Sequence, residues 1–225
     1  MRWGCSALDR PMHPPPDYPE LLARLDAWQQ GVRERFPGVV PCRSGCSACC
    51  HGPFDISAAD TIVVREGVAS LPSPVRAAVE QRARLQMGRM AHAEPGFGFP
   101  WDVSRLSEAR LDALVDRQAG EPCPALDAGG RCLIYERRPM ICRIMGLGMR
   151  TASGADLPNG CPIRDEFPGY RDLPLQEFDL DGWEQEERRA LELAGSELFP
   201  DAPNPEFETT IAGAILLGAP EPWRT

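Results

Sequence analysis

The sequence predicts a mainly α fold: a single compact helical domain with cysteine-bearing loops and a small β-hairpin. Three observations lead there. Five or six segments space their apolar residues by three and four, the period of one helix face. Eight of the nine cysteines fall into two groups of four, on stretches rich in Gly and Pro between those segments. A chain of 225 residues, 43% hydrophobic and 25% charged, can bury one proper core and lacks the composition of a disordered polymer.

Residues 1–16 read as a flexible lead-in and 17–225 as the domain. Asp17 with Glu20 fits an N-cap and its capping-box partner. Leu21, Leu25, Trp28, Val32 and Phe36 then mark the apolar side of a helix that Pro37-Gly38 ends. The first cysteine block, 42–50, reads Cys-Arg-Ser-Gly-Cys-Ser-Ala-Cys-Cys. Its thiols stand at i, i+4, i+7 and i+8, one stripe if the segment is helical, while Pro41 and Gly45 suit a loop equally. A helical insert follows over 57–118. Ser57 caps a helix with Ile62, Val63 and Val68 inward, and Ser73-Pro74 opens another carrying Val75, Val79, Leu85, Met87 and Met90. The methionines read as core filler. Gly96 to Trp101 interrupts the pattern, and Ser104 or Ser107 caps a helix with Leu111, Leu114 and Val115.

The second block, 122–161, begins at Pro122-Cys123-Pro124, turns at Asp127-Ala128-Gly129-Gly130 and returns through Cys132. Two extended arms about that turn make the expected hairpin and set Cys123 beside Cys132. Pro139 starts a short helix with Cys142 one turn in, and the loop 146–160 delivers Cys161. The C-terminal helices span 181–217: Asp181 with Glu184 caps the first, with Trp183, Ala190, Leu191, Ala194 and Leu198 inward, and Thr210 to Leu217 forms a short helix or strand.

Net charge is −9 with a pI near 4.9, which argues against a nucleic-acid backbone as partner, because that binding rests on neutralising phosphates. All 24 basic residues are Arg, so no lysine Schiff-base chemistry is open to the chain. The start has no apolar signal-peptide run, and Ile211–Leu217 is far short of the roughly 20 residues a bilayer needs, so the expectation is a cytoplasmic, soluble protein without a membrane partner. In that compartment dense cysteine points to metal or redox chemistry rather than to disulfides.

Four thiols within nine residues have no packing rationale. Thiolates hold zinc in closed tetrahedral sites, or iron–sulfur clusters through four ligands. The candidate ligands are Cys42, Cys46, Cys49, Cys50, Cys123, Cys132, Cys142 and Cys161; the expected cofactor is an iron–sulfur cluster, 4Fe–4S foremost, or zinc, and the hairpin and loops would surround that metal centre. Eight sulfurs permit two zinc sites, one cluster with spare thiols, or a polynuclear centre. Adjacent Cys49 and Cys50 are awkward on one mononuclear ion, since neighbouring side chains diverge. Arg43, Arg131, Arg137, Arg138 and Arg143 lie near the thiols in sequence and are candidates to lower their pKa or donate hydrogen bonds. His51 is a candidate ligand or supporting donor, and His92 reads as surface.

The first block resembles the Cys-x-x-Cys-x-x-Cys-Cys signature of the YkgJ-type cysteine-cluster family, zinc- or iron-chelating or Fe–S-cluster-containing domains. The second block, from Cys123-Pro124-Ala125-Leu126 through Arg131-Cys132-Leu133-Ile134-Tyr135-Glu136-Arg137-Arg138-Pro139-Met140-Ile141-Cys142-Arg143, is similar to that family's second block almost position for position. One departure stands out: three residues, not two, separate Cys42 from Cys46, so Cys42 is the position the resemblance covers least. The resemblance implies metal binding with a structural or redox role. Through relatives that methylate flagellin lysines it also suggests an enzyme alternative, and a metal carrier or docking module is the third reading. A lone Gly146-Leu147-Gly148 is too weak a motif to claim a nucleotide pocket.

Overall fold

Helix α1, Tyr18–Arg35, buries Tyr18, Leu21, Leu22, Leu25, Gln29 and Val32, a stripe that follows the helical period of the sequence. A computed structural model describes residues 12–158, 160–217 and 219; most of the expected lead-in, and Cys5 with it, lies outside the described residues. Met12, from the end of that stretch, is buried against the core, and His13 meets Glu66 at 3.7 Å. Asp17 takes the N-cap position of α1 but makes no side-chain cap, because its φ −86, ψ −14 is already helical and points the carboxylate away from the first N–H groups.

The remaining elements are β1 (Asp55–Ser57), α2 (Ala58–Ala69), α3 (Ser73–Ala93), α4 (Glu108–Arg117), α5 (Met140–Ile144), β2 (Met149–Arg150), β3 (Asp156–Leu157), β4 (Gln176–Glu177), α6 (Leu180–Leu198), β5 (Glu208–Thr210) and α7 (Ile211–Leu217). The fold is mainly α, with only small strand pairs among the described residues. α2 is its axis. Apolar residues cover almost its whole circumference, so it is buried on nearly every side, with α6, α3 and α7 around it. Each fully buried Ile or Val in it contributes roughly 2 kcal/mol. Ser57 caps α2 as expected, its Oγ accepting from the Asp60 N–H at 3.2 Å. β1 pairs antiparallel with β5, Ile56 opposite Thr209, which tethers the fully buried α7 beside α2. β2 lies between β3, antiparallel, and β4, parallel.

Some expected positions differ. On α3 the buried face is Val79, Ala83, Gln86, Met87 and Met90, whereas Leu85 is 54% exposed; it falls off the three-and-four spacing of its neighbours. The methionines are core. α6 starts one residue before the expected cap: Asp179, not Asp181, accepts from the Gly182 N–H at 2.9 Å. Asp181 instead takes the Ser153 N–H at 2.7 Å. The Asp127 turn brings its two arms together as a single bridge, Leu126 opposite Cys132, rather than as a ladder. No described helix is long and apolar enough to cross a membrane.

Candidate metal centre

The first cysteine block is a loop of two tight turns, closed by the Cys46 N–H on Arg43 O at 3.0 Å and the Cys50 N–H on Ser47 O at 2.9 Å. Gly45, at the third position of the first turn, has φ +88, a conformation that excludes most L residues and here decides for loop over helix. The loop is pinned from outside. Arg33 on α1 donates to Cys42 O at 2.9 Å. The Cys42 thiol donates to Met145 O at 3.2 Å and lies against Gly146, where any Cβ would collide with the sulfur.

The second block is stitched to the first through the backbone. The Cys123 N–H donates to Cys50 O at 2.9 Å, the Gly52 N–H to Glu121 O at 2.7 Å, and His51 forms a β-bridge with Pro122. Asp127 closes the turn between Cys123 and Cys132, its Oδ1 accepting from the N–H groups of Gly129 and Arg131, both at 2.8 Å. Cys142 sits in the first turn of α5, whose leading N–H, on Met140, donates to the Asp60 carboxylate of α2 at 3.0 and 3.2 Å. Cys161 is held from the far loop: its N–H donates to the Tyr170 hydroxyl at 3.1 Å, and that hydroxyl donates to Gly146 O at 2.7 Å.

Seven thiols, those of Cys42, Cys46, Cys49, Cys50, Cys123, Cys132 and Cys142, line one cleft. The rest of its wall is largely apolar, with Phe54, Leu126, Ile134 and Ile211. The Cys161 thiol stands beside this group, within electrostatic range of Cys46 and Cys49. The eight described cysteines are free thiols. Among the described residues, no three Cys, His, Asp or Glu side chains are already drawn in to the spacing of a bound ion.

Burial pushes the thiols of Cys42 and Cys123 up to about 12 and raises those of Cys132, Cys142 and Cys161, because an ionised sulfur loses water when it is buried. Cys50 donates to Cys49, which lowers Cys49 and raises Cys50, so this pair holds its first negative charge on Cys49. Opposing the burial, Cys123, Cys132 and Cys161 each accept a backbone hydrogen bond from the residue two ahead, Ala125, Ile134 and Ile163. N–H groups aimed at sulfur favour its charged form, as a thiolate ligand requires.

The arginines near the thiols in sequence act differently from expectation. Arg131 pairs with Asp127 and Arg137 with Glu66, while Arg138 and Arg143 both reach Asp26; Arg43 lines the cleft rim, exposed. Of the five, Arg138 lowers a thiol, that of Cys132. Arg33 and Arg82, neither singled out by sequence, do the same for Cys42 and Cys123 from α1 and α3. Asp60, Gly146 and Tyr170 were likewise invisible as site residues: Asp60 and Gly146 lie far in sequence from the cysteines they position, and no local pattern marks Tyr170, nine residues past Cys161. His51 is exposed on its bridge, and His92 is exposed on α3. Gly146-Leu147-Gly148 is used in packing, Gly146 under Cys42 and Gly148 against Leu175.

An all-sulfur donor set in an apolar cleft, supported by backbone N–H groups, suits zinc or iron and suits the hard cations calcium and magnesium poorly. The family model CxxCxxCC, described as "Putative zinc- or iron-chelating domain", matches residues 41–162, more than half of the chain. No curated protein and no solved structure matches the chain.

Proposed function

The chain belongs to the CxxCxxCC family of zinc- or iron-chelating domains, and from that premise we propose that it is a metalloprotein holding an iron–sulfur cluster or zinc through Cys42, Cys46, Cys49, Cys50, Cys123, Cys132, Cys142 and Cys161, in a structural or redox role. One observation carries the reading: thiols 70 to 100 positions apart in sequence share a single cleft, joined by the Cys123–Cys50 backbone hydrogen bond. Bound iron–sulfur would supply one-electron transfer, and bound zinc a rigid cross-link between the two blocks.

Elemental analysis of protein purified under strict anaerobiosis tests this. The expected result is stoichiometric iron with acid-labile sulfide and a brown colour, or stoichiometric zinc in a colourless protein. Protein that binds neither metal tightly ends the proposal. Replacing Cys132 by Ala should abolish metal retention, and unchanged metal content in that variant would remove Cys132 from the ligand set.

A further inference from the structure

Helix α1 carries no cysteine and precedes both blocks, yet one stripe of it touches each of them. Asp26, Gln29 and Arg33 follow one another at intervals of three and four, which puts them on a single face of the helix. Asp26 faces the second block, where its two carboxylate oxygens accept from different arginines, Oδ1 from Arg138 and Oδ2 from Arg143. Gln29, buried at the cleft wall, donates through Nε2 to Met145 O at 3.3 Å, the carbonyl that also accepts from the Cys42 thiol at 3.2 Å. Arg33 donates to Cys42 O at 2.9 Å in the first block.

The two arginines pass this hold on to the backbone. Arg143 donates to Arg138 O at 3.0 Å and to Glu136 O at 3.2 Å. Arg138 donates to Tyr135 O at 3.0 Å, and its guanidinium lies over the Tyr135 ring, 4.1 Å from the centroid. Three carbonyls between Cys132 and Cys142 are thus fixed by two cations, and one carboxylate grips both cations. Arg143 follows Cys142 directly and its side chain is 5% exposed, so the geometry of that turn depends on the ion pair with Asp26.

Resting on the metal-binding reading above, we propose that Asp26, Gln29 and Arg33 are positioning residues of the metal centre, and that α1 is the splint that keeps block 42–50 in register with segment 135–145. They act through carbonyls and guanidiniums, without touching the metal. The two blocks need such a support. Block 42–50 is a loop, and α5, five residues long, cannot hold Cys142 in place alone. The Cys123–Cys50 hydrogen bond ties the blocks at one point, and the stripe on α1 ties them at Cys42, Met145 and the turn before Cys142. Groups of this kind orient ligands and are felt in the affinity and electronic structure of the metal they never contact.

The reduced full chain, loaded anaerobically with Co(II), provides the test, since cobalt bands report both the ligand field and the release of metal to a chelator. Asp26→Asn and Gln29→Leu should each release Co(II) faster than the wild type, Asp26→Asn by about tenfold or more. Their d–d bands should shift while far-UV circular dichroism stays the same. Arg24→Gln removes the ion pair with Glu186 from another face of the same helix and should leave both rate and spectrum at wild-type values. Wild-type rates and spectra in Asp26→Asn and Gln29→Leu overturn the inference while leaving metal binding intact. Equally fast release from Arg24→Gln overturns it too, because the effect would then be one of helix stability. Should Asp26→Asn fail to fold, Gln29→Leu, which leaves no charge without a partner, decides alone. A wild type that takes up no Co(II) overturns the metal-binding reading and this inference together.

Discussion

Gly146 shows how much one backbone position carries. Its φ of +86 and the sulfur of Cys42 packed on its face leave no room for a side chain. Gly146→Ala should therefore cost about 2 kcal/mol in a denaturant melt, from the left-handed backbone and the displaced sulfur together. It should also loosen the retention of metal. Tyr170→Phe tests the same corner with no change of volume in the core. It leaves the Cys161 N–H and Gly146 O without their shared partner, for a loss of roughly 1–2 kcal/mol. Far-UV circular dichroism should be unchanged, and chelator-driven metal loss should be faster. A Tyr170→Phe protein that releases metal at the wild-type rate would show that this hydroxyl does not hold Cys161 in place. Neither residue was legible as functional in the sequence. A loop glycine and a lone tyrosine look alike wherever they occur, and only the partner across the fold assigns them a task.

Among the elements, α5 depends most on its neighbours. Five residues cannot form a stable helix alone, and this one is set by Asp60, which receives its leading N–H from inside α2. Asp60 also accepts from the Tyr18 hydroxyl at 2.9 Å, and Tyr18 reaches Glu187 on α6 at 3.2 Å, so α1, α2, α5 and α6 meet at one buried acidic node. Burial raises Asp60 to about 6 and Glu187 to about 7. Both carboxyls thus bind protons more tightly folded than unfolded. Their contribution to stability is fully present below about pH 4 and is lost as pH rises through 6 to 7. The unfolding free energy from urea melts should fall between pH 5 and pH 8, by a few kcal/mol at most, and Asp60→Asn should flatten that slope. An equally steep slope in Asp60→Asn would assign the pH dependence elsewhere. The helices themselves were readable, since a periodic apolar stripe such as that of α1 or α6 is a property of the local sequence. Their caps were read less well: Asp179 and Asp181 are both chemically competent, and the choice between them fell to Ser153, which occupies Asp181 from another loop.

For the molecule as a whole, the cleft holds thiols that burial keeps protonated, so binding a metal must release protons. Apparent affinity for zinc should rise steeply from pH 6 to pH 8, and calorimetry in buffers of different ionisation enthalpy should register more than one proton released per zinc. A pH-independent affinity would contradict thiol ligation. Because a bound metal would cross-link the two blocks, it should also raise the melting temperature of the reduced apoprotein by several degrees.

The sequence by itself determined the mainly α architecture and a cysteine-rich domain of the zinc- or iron-chelating type, because helical periodicity and donor chemistry are carried by residues close together in the chain. Tertiary structure alone decided that 42–50 is a loop rather than a helix, that Cys50 meets Cys123 while Cys42 lies against Gly146, and that Arg33, Arg82, Asp60, Gly146 and Tyr170 lie around the thiols. Each of those outcomes depends on which distant segment packs against which, and the free energy of such a contact exists only once both segments are folded against the same core.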